Sequence, residues 1–358
     1  MSDPKVFLCR VPDGQPDQWP RAVQRLLVET PEPLKFVRKN DLIAIKVHVG
    51  EPGLTTFLPP EVAGVVAHRV RSLGARPFFT DSAVLYSGAR SSGVGHTEVA
   101  IKHGFTLDRA GAAFVPADGI EGNLEEQFEI DGRHFAKVGV AGAIASSNGA
   151  VIVSHATGHL VSGIGATLKN MGMGCSSRKG KLLQHSDTKP YLSQEKCTAC
   201  GACIEHCPNE ALAAGEGAKA EMDEKKCSGC GECIAHCRSD AVGFRWDSSS
   251  EFLQQKMVEH ALGVMRAVKG RFTCVLGLVN LTKHCDCWGA GSDKVAPDIG
   301  FALSSDPVAL DQAAMDLTEA GCGKRLDQLA WPKLDGTIQL AYAERLRVGS
   351  RTYELVEV

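Results

Sequence analysis

The sequence is poor in aromatic residues, which make up 6% of its 358 positions. Four Trp, four Tyr and no interleaving of aromatic with basic residues leave little from which to build a nucleic-acid-binding surface. An excess of one charge is missing too. The formal net charge of −3 gives no electrostatic reason to expect nucleic acid or an anionic membrane as a partner. Long hydrophobic runs are absent: none approaches the ~18 residues needed to span a bilayer. The best candidate, Val138–Ala145, is short and alanine-rich. The opening residues MSDPKVFLCRVPDG show no basic stretch leading into a long apolar core. No secretory signal is visible, and a cytoplasmic location is expected. Nucleotide fingerprints are lacking as well. Gly163-Ile-Gly165 has no third glycine after it, and no Walker-type GxxxxGK occurs, so a nicotinamide Rossmann site is unsupported.

Cysteine, by contrast, is abundant. Fourteen cysteines in such a chain argue for metal ligation in a reducing compartment rather than for disulfides. Eight of them form an internal repeat. Cys197, Cys200, Cys203 and Cys207 are each followed thirty places later by Cys227, Cys230, Cys233 and Cys237. Each half reads C-x2-C-x2-C-x3-C, the ligand spacing of a pair of [4Fe–4S] clusters. Three cysteines on a tight loop converge on one cubane, while the fourth, on a short following helix, serves the other cluster. The expected ligand sets are therefore Cys197, Cys200, Cys203 with Cys237, and Cys227, Cys230, Cys233 with Cys207. Gly201 and Gly231 suit the positive φ such loops need. Pro208 follows the first run, whereas Arg238 stands after the second. A zinc site takes four ligands, usually in two pairs, which two evenly spaced quartets do not match. The stretch resembles bacterial two-cluster ferredoxins over about residues 188–246.

On both sides of it the chain alternates short apolar runs with helical patterns. Strands are expected at Val6–Val11, Leu42–Val49, from Pro77–Thr80, at Ala150–Ser154, Thr273–Leu281 and Thr352–Val358. Helices are expected at Trp19–Glu29, Pro59–Leu73, Gly95–His103, Ser248–Lys269, Pro307–Ala320 and Ile338–Arg347. Asp306 and Pro307 read as N-cap and first helical residue. A hairpin is expected with Phe128–Ile130 and His134–Val140 joined by Asp131-Gly132. The fold class is α/β: a mainly parallel sheet with flanking helices, interrupted by an inserted two-cluster α+β module. The expected division is 1–187 and 247–358 for the α/β domain and 188–246 for the insertion.

Two further constellations stand out. His155-Ala-Thr-Gly-His159, followed by Lys169 and Cys175, forms a Gly-rich stretch behind a strand, where α/β folds build sites. It reads either as a site for an anion or a metal, or as a loop whose histidines only bond backbone. His284-Cys285-Asp286-Cys287-Trp288 offers two soft ligands, which with Cys175 would make a third metal site, or else two buried thiols. His48 and His96 are lesser candidates. Cys9, Cys274 and Cys322 sit among apolar residues and read as small hydrophobes.

These segments carry a family resemblance. Lys46-Val-His48-Val-Gly50-Glu51, Thr55-Thr56-Phe57-Leu58, Thr80-Asp81, Gly95-His96, the His155–Cys175 stretch, Cys285-Asp286-Cys287 and Ser305-Asp306-Pro307-Val308-Ala309-Leu310-Asp311 resemble the family catalogued as domain of unknown function 362. That resemblance implies an iron–sulfur protein, without bringing an established reaction. Residues 42–74 and His155–Lys169 are also similar to lactate racemase-like proteins, in which the lysine anchors a nickel pincer cofactor and histidines assist. Here Ala166 replaces that family's second glycine, and the proline–glycine after the lysine loop is absent. The similarity implies the fold and the location of a site, not racemisation.

The expectation is thus a redox protein, an oxidoreductase or an electron-transfer subunit. Electrons would pass through two [4Fe–4S] clusters to a site around His155, His159 and Lys169, the catalytic candidates. A redox partner protein and a small anionic substrate are the expected partners, with a further metal or small-molecule cofactor as an option. The alternatives are a non-catalytic electron carrier and a metal- or cofactor-handling accessory protein.

Overall fold

The β-branched run of residues 42–46 shows how the sequence builds the sheet. Ile43 and Ile45 face one layer of helices and Ala44 the other, because strand side chains alternate. A strand covered on both faces reads as a continuous apolar run. The structure is a computed structural model that describes residues 3–86, 88–185, 189–227, 229–245 and 248–358. Strands β1 (Lys5–Arg10), β2 (Leu42–Lys46), β3 (Arg76–Asp81) and β4 (Ala113–Pro116) come first. A hairpin of β5 (Glu125–Glu129) and β6 (Lys137–Ala141) follows, then β7 (Gly149–His155). Next comes a smaller hairpin of β8 (Thr157–His159) and β9 (Gly163–Gly165).

The cysteine-rich stretch contributes four short strands. β10 (Tyr191–Leu192) pairs antiparallel with β13 (Val242–Gly243), and β11 (Leu212–Ala214) with β12 (Ala220–Met222). Two helical turns, Ala202–Glu205 and Glu232–His236, touch each other. His206 and His236, thirty places apart, stack with ring centroids 3.6 Å apart. Gly201 and Gly231 adopt φ of 75° and 78°, as the spacing requires. The expected joints at Thr188 and Trp246 lie outside the described residues.

β14 (Phe272–Leu278), β15 (Gly300–Ser304) and β16 (Glu354–Glu357) complete an eight-stranded sheet. Its order is β16-β1-β15-β14-β7-β2-β3-β4. β15 runs antiparallel to both of its neighbours, and the other pairs are parallel. Segments before and after the cysteine-rich stretch therefore interleave in one sheet: β14 lies directly beside β7. Helices Trp19–Glu29, Pro60–Ser72 and Gly93–Lys102 cover one face through Val23, Leu26, Val62, Val66 and Val99. Helices Thr167–Gly172, Ser250–Ala267 and Pro307–Cys322 cover the other through Leu168, Val258, Val264, Val308 and Leu310. Among the described residues, no helix is long and apolar enough to cross a membrane.

The expected Asp-Gly turn is corrected. β5 and β6 pair with Glu129 opposite Lys137, so a seven-residue loop, 130–136, replaces a two-residue turn. The buried Glu259 carboxylate accepts the backbone N–H groups of Arg133, His134 and Phe135 and holds that loop open.

Two buried histidines make stability depend on pH. Burial pushes His96 down to about 4 and His260 down to about 3. Both stay neutral in the folded protein, while the unfolded chain takes up protons near pH 6.5. Stability is then fully present above pH 6.5 and is lost as pH falls toward the folded values. Between pH 7 and pH 5 each histidine should cost about 1–2 kcal/mol. Urea unfolding at both pH values checks this, and His260→Gln should flatten the dependence.

Candidate functional site

The C-terminal ends of β2, β3 and β7 place Lys46, Asp81 and His155 along one edge of the sheet, where open parallel sheets bind ligands. Together with the turn at 284–289 they line a cavity of about 650 Å³. His155, His159, Lys169, Cys285 and Cys287 all lie on its wall, as does His48. Cys175 does not. It is fully buried in the core, its thiol directed at the Asn170 carbonyl at 3.7 Å, and it does not join Cys285 and Cys287. His96 is also buried away from the cavity, 3.4 Å from Asp81.

Much of the wall's charge is paired. Lys46 Nζ contacts Asp81 at 2.9 Å, the Val47 carbonyl at 2.8 Å and Asn170 Oδ1 at 2.6 Å, which uses all three of its protons. Arg90, 1% exposed, donates from Nε to Glu51 at 2.8 Å and from its other nitrogens to Asp81 and Tyr86. Tyr86 in turn donates to Glu51. Lys181 reaches the Ser82 hydroxyl and the Ala83 carbonyl. Burial brings Lys181 down to about 8.

His155 has both ring nitrogens engaged. Nδ1 donates to Asp286 at 2.9 Å and Nε2 to the Val279 carbonyl at 2.8 Å. Both partners are acceptors, so the ring is an imidazolium. Burial opposes that charge, but Asp286 outweighs it and the pKa is raised. His155 therefore anchors the 284–289 turn and has no nitrogen left for a substrate. His159 differs. Its Nδ1 accepts the N–H groups of Val161 and Ser162 at 3.3 and 3.1 Å. Burial, with Lys169 nearby, holds its pKa well below the usual range. A neutral ring with Nδ1 as acceptor carries its proton on Nε2, a donor for the cavity.

Lys169 lies on the short helix Thr167–Gly172, whose N-terminus is fixed from outside. Asp311 accepts the N–H groups of Thr167 and Leu168, both at 2.8 Å. The Ser305–Asp311 motif thus acts structurally: Asp306 caps its own helix and Asp311 caps the helix that carries Lys169. Lys169 Nζ stands 3.9 Å from Cys287 Sγ. Burial would discharge this lysine, but the sulfurs of Cys285 and Cys287 raise its pKa instead. His48 Nε2 is 3.2 Å from the same sulfur, and its Nδ1 accepts Gly50 N–H. Hydrogen bonding from Cys285 holds the Cys287 thiol well below its usual pKa against the opposing effect of burial, with Lys169 and His48 adding to it. Cys285 shifts the opposite way because it keeps the shared proton. The glycines of the His155–Cys175 stretch allow this crowding: a Cβ on Gly158 would sit 2.2 Å from the Lys283 carbonyl oxygen.

The cysteine-rich stretch has two small hollows. One is lined by Cys197, Cys200, Cys203 and Cys237, the other by Cys207, Cys227, Cys230 and Cys233. Backbone N–H groups of Ala211 and Ala241, again thirty apart, point at Cys207 and Cys237 sulfurs at 3.3 and 3.2 Å. Among the described residues, no three His, Cys, Asp or Glu side chains converge closely enough to hold a single metal ion. Thiolates that bind different corners of a cubane stand further apart than ligands of one ion. Four cysteines around a hollow of otherwise largely apolar lining fit such a group. Leu85 lines the large cavity and also packs with Leu182, Cys203 and Cys233, so one residue borders both regions. Arg238, at the position matching Pro208, pairs with Glu121, which also holds His236 at 3.0 Å. The departure from the repeat ties the stretch to the α/β body.

Sequence reasoning singled out neither Arg90, Tyr86 nor Lys181. Lys46 and Asp81 appeared only as parts of a family pattern. Their signal was position: each ends a parallel strand, and those strands are neighbours.

Fold and site define an α/β protein with a mostly parallel sheet and a polar-rimmed cavity at its strand ends. The chain belongs to the family described as Domain of unknown function (DUF362), whose family model matches residues 43–316. Among solved structures, the lactate racemase apoprotein from Thermoanaerobacterium thermosaccharolyticum is similar over 76% of this chain and 50% of its own, at 10% identity and a TM-score of 0.40. The chain spans about half the length of that protein, and the likeness is too distant to carry a statement about the site. No curated protein matches.

Proposed function

We propose that this chain is a cytoplasmic iron–sulfur redox protein that delivers electrons to a small anionic substrate in the cavity beside Lys169. The observation that carries the reading is the make-up of the two hollows, each lined by the interleaved cysteine set that the repeat calls for. In this reading Cys197, Cys200, Cys203 and Cys237 hold one [4Fe–4S] cluster and Cys227, Cys230, Cys233 and Cys207 the other. Bound there, the clusters would supply single-electron transfer. The protein's own residues do the rest. Ala211 and Ala241 N–H groups bond ligand sulfurs, and such bonds tune a cluster's potential. Leu85 and Leu182 fill the space toward the cavity and keep it dry. Lys169 offers a positive charge and His159 a neutral N–H donor to an anionic group of the substrate. The electrons would come from a partner protein docking on the cysteine-rich stretch.

Anaerobic purification followed by iron and sulfide analysis tests the reading. About eight irons and about eight sulfides per chain are expected, with a reduced-state EPR signal from coupled clusters. Fewer than about four irons after reconstitution would overturn it.

A further inference from the structure

Cys285 and Cys287 occupy one tight turn, closed by Trp288 N–H donating to the Cys285 carbonyl at 2.9 Å. The turn is clamped on both sides. His155 grips Asp286, the residue between the two cysteines, and the Cys287 carbonyl lies 3.3 Å from the Tyr86 hydroxyl, whose proton goes to Glu51. Both thiols are half-buried and open onto the cavity. In contrast, Cys9, Cys175 and Cys274 are shut into apolar core. Cys287 Sγ has two donors aimed at it. His48 accepts Gly50 N–H at Nδ1, which leaves its proton to Nε2, 3.2 Å from the sulfur and 3.3 Å from an Arg90 nitrogen; the Lys169 ammonium lies 3.9 Å away. A third ligand for a metal is missing among the described residues. What the turn presents is an activated sulfur with a second sulfur beside it. That is the equipment of thiol–disulfide exchange, in which one thiolate attacks and its neighbour resolves.

We propose that Cys285 and Cys287 are a redox-active dithiol that reduces a small, negatively charged disulfide bound in the cavity beside Lys169. Cys287 thiolate attacks one sulfur of the substrate, forming a mixed disulfide and expelling the first substrate thiolate. Cys285 gives up its proton and attacks the Cys287 sulfur, closing the Cys285–Cys287 disulfide and expelling the second thiolate. The two thiolates leave with the Cys285 proton and one proton from solvent. The substrate has gained two electrons and the cysteine pair has lost them. Resetting the pair takes two electrons and one proton. The electrons come singly from an iron–sulfur donor, and only this source rests on the function proposed above. A cavity of about 650 Å³ is the right size for a small molecule and not for a folded protein's disulfide. Lys169 serves both the attacking sulfur and the substrate's charge.

The test uses the iron-containing protein without oxygen, a small excess of 2,2′-dithiodipyridine, alkylation and peptide mapping of residues 284–294. The wild type should lose both free thiols of that peptide to an internal disulfide in a fast phase. Cys285→Ser should stop at the mixed disulfide on Cys287. Cys287→Ser should slow labelling at Cys285 by at least about tenfold, and Lys169→Met should slow the fast phase about tenfold while iron content stays unchanged. Two results overturn the proposal: the peptide stays a free dithiol while other cysteines react, or a tightly bound metal shields both thiols until a chelator is added. A protein without iron that still forms the Cys285–Cys287 disulfide would remove the iron–sulfur reading and leave the dithiol intact. A protein with full iron and an inert peptide would do the reverse.

Discussion

Arg90→Ala is expected to lower the free energy of unfolding by about 3–5 kcal/mol, a large part of the ~5–15 kcal/mol that holds a typical domain. The guanidinium is 1% exposed and lies between two acids that are themselves buried, Glu51 at 7% and Asp81 at 3%. Desolvation of three ionised groups is tolerated because each faces an opposite charge. Removing the cation leaves Glu51 with the Tyr86 hydroxyl alone, whereas Asp81 keeps Lys46 and His96. The penalty therefore falls chiefly on Glu51, and Arg90→Ala combined with Glu51→Gln should recover part of it. Denaturant unfolding of the three proteins reads this directly. A loss under about 1 kcal/mol in Arg90→Ala would mean that water already solvates the group from the cavity.

Cys237→Ala should remove about half of the bound iron and should expose the three cysteines furthest from it in sequence. Cys197, Cys200 and Cys203 share a hollow with Cys237, whereas Cys227, Cys230 and Cys233, its neighbours along the chain, line the other with Cys207. After anaerobic alkylation the first trio should label and the second should stay protected. Cys207→Ala should give the opposite pattern. Labelling of Cys227, Cys230 and Cys233 in the Cys237 variant would point to two sequential quartets and sink the interleaved assignment.

Some of this was legible in the sequence for local reasons. The helix at Trp19–Glu29 matches its expected bounds, and Asp306-Pro307 begins a helix as the capping chemistry requires. The parallel strands at 42–46 and 149–155 announce themselves by composition. β15 does not: Gly300–Ser304 is five residues behind a long irregular stretch, and what makes it a strand is its place between β1 and β14. The Asp131-Gly132 signal was locally sound, yet a carboxylate more than 120 residues away, Glu259, decided the loop. At the site, the His155–Cys175 and Cys285–Cys287 segments were visible as unusual runs, and the cavity unites most of them. Their division of labour was not visible. His155 looks like an acid–base residue until Asp286 and Val279 take both of its nitrogens, and Cys175 looks like a ligand until it is found in the core. Arg90 belongs to no sequence motif, and only burial beside two acids marks it.

The order of strands in the sheet constrains how the molecule is made. β1 is made before the other seven strands of this sheet, yet its two neighbours are β15 and β16. It has no partner in the sheet until residues 300–304 and 354–357 exist. All eight repeat cysteines, in contrast, lie within residues 197–237 and need only each other. During synthesis the thiols are complete while the sheet is still open, so in the proposed iron–sulfur reading delivery of iron and sulfide can precede final closure of the fold. In that reading maturation and folding are sequential events on one nascent chain, and a shortage of iron would leave the sheet to close with the cysteine-rich stretch unfilled.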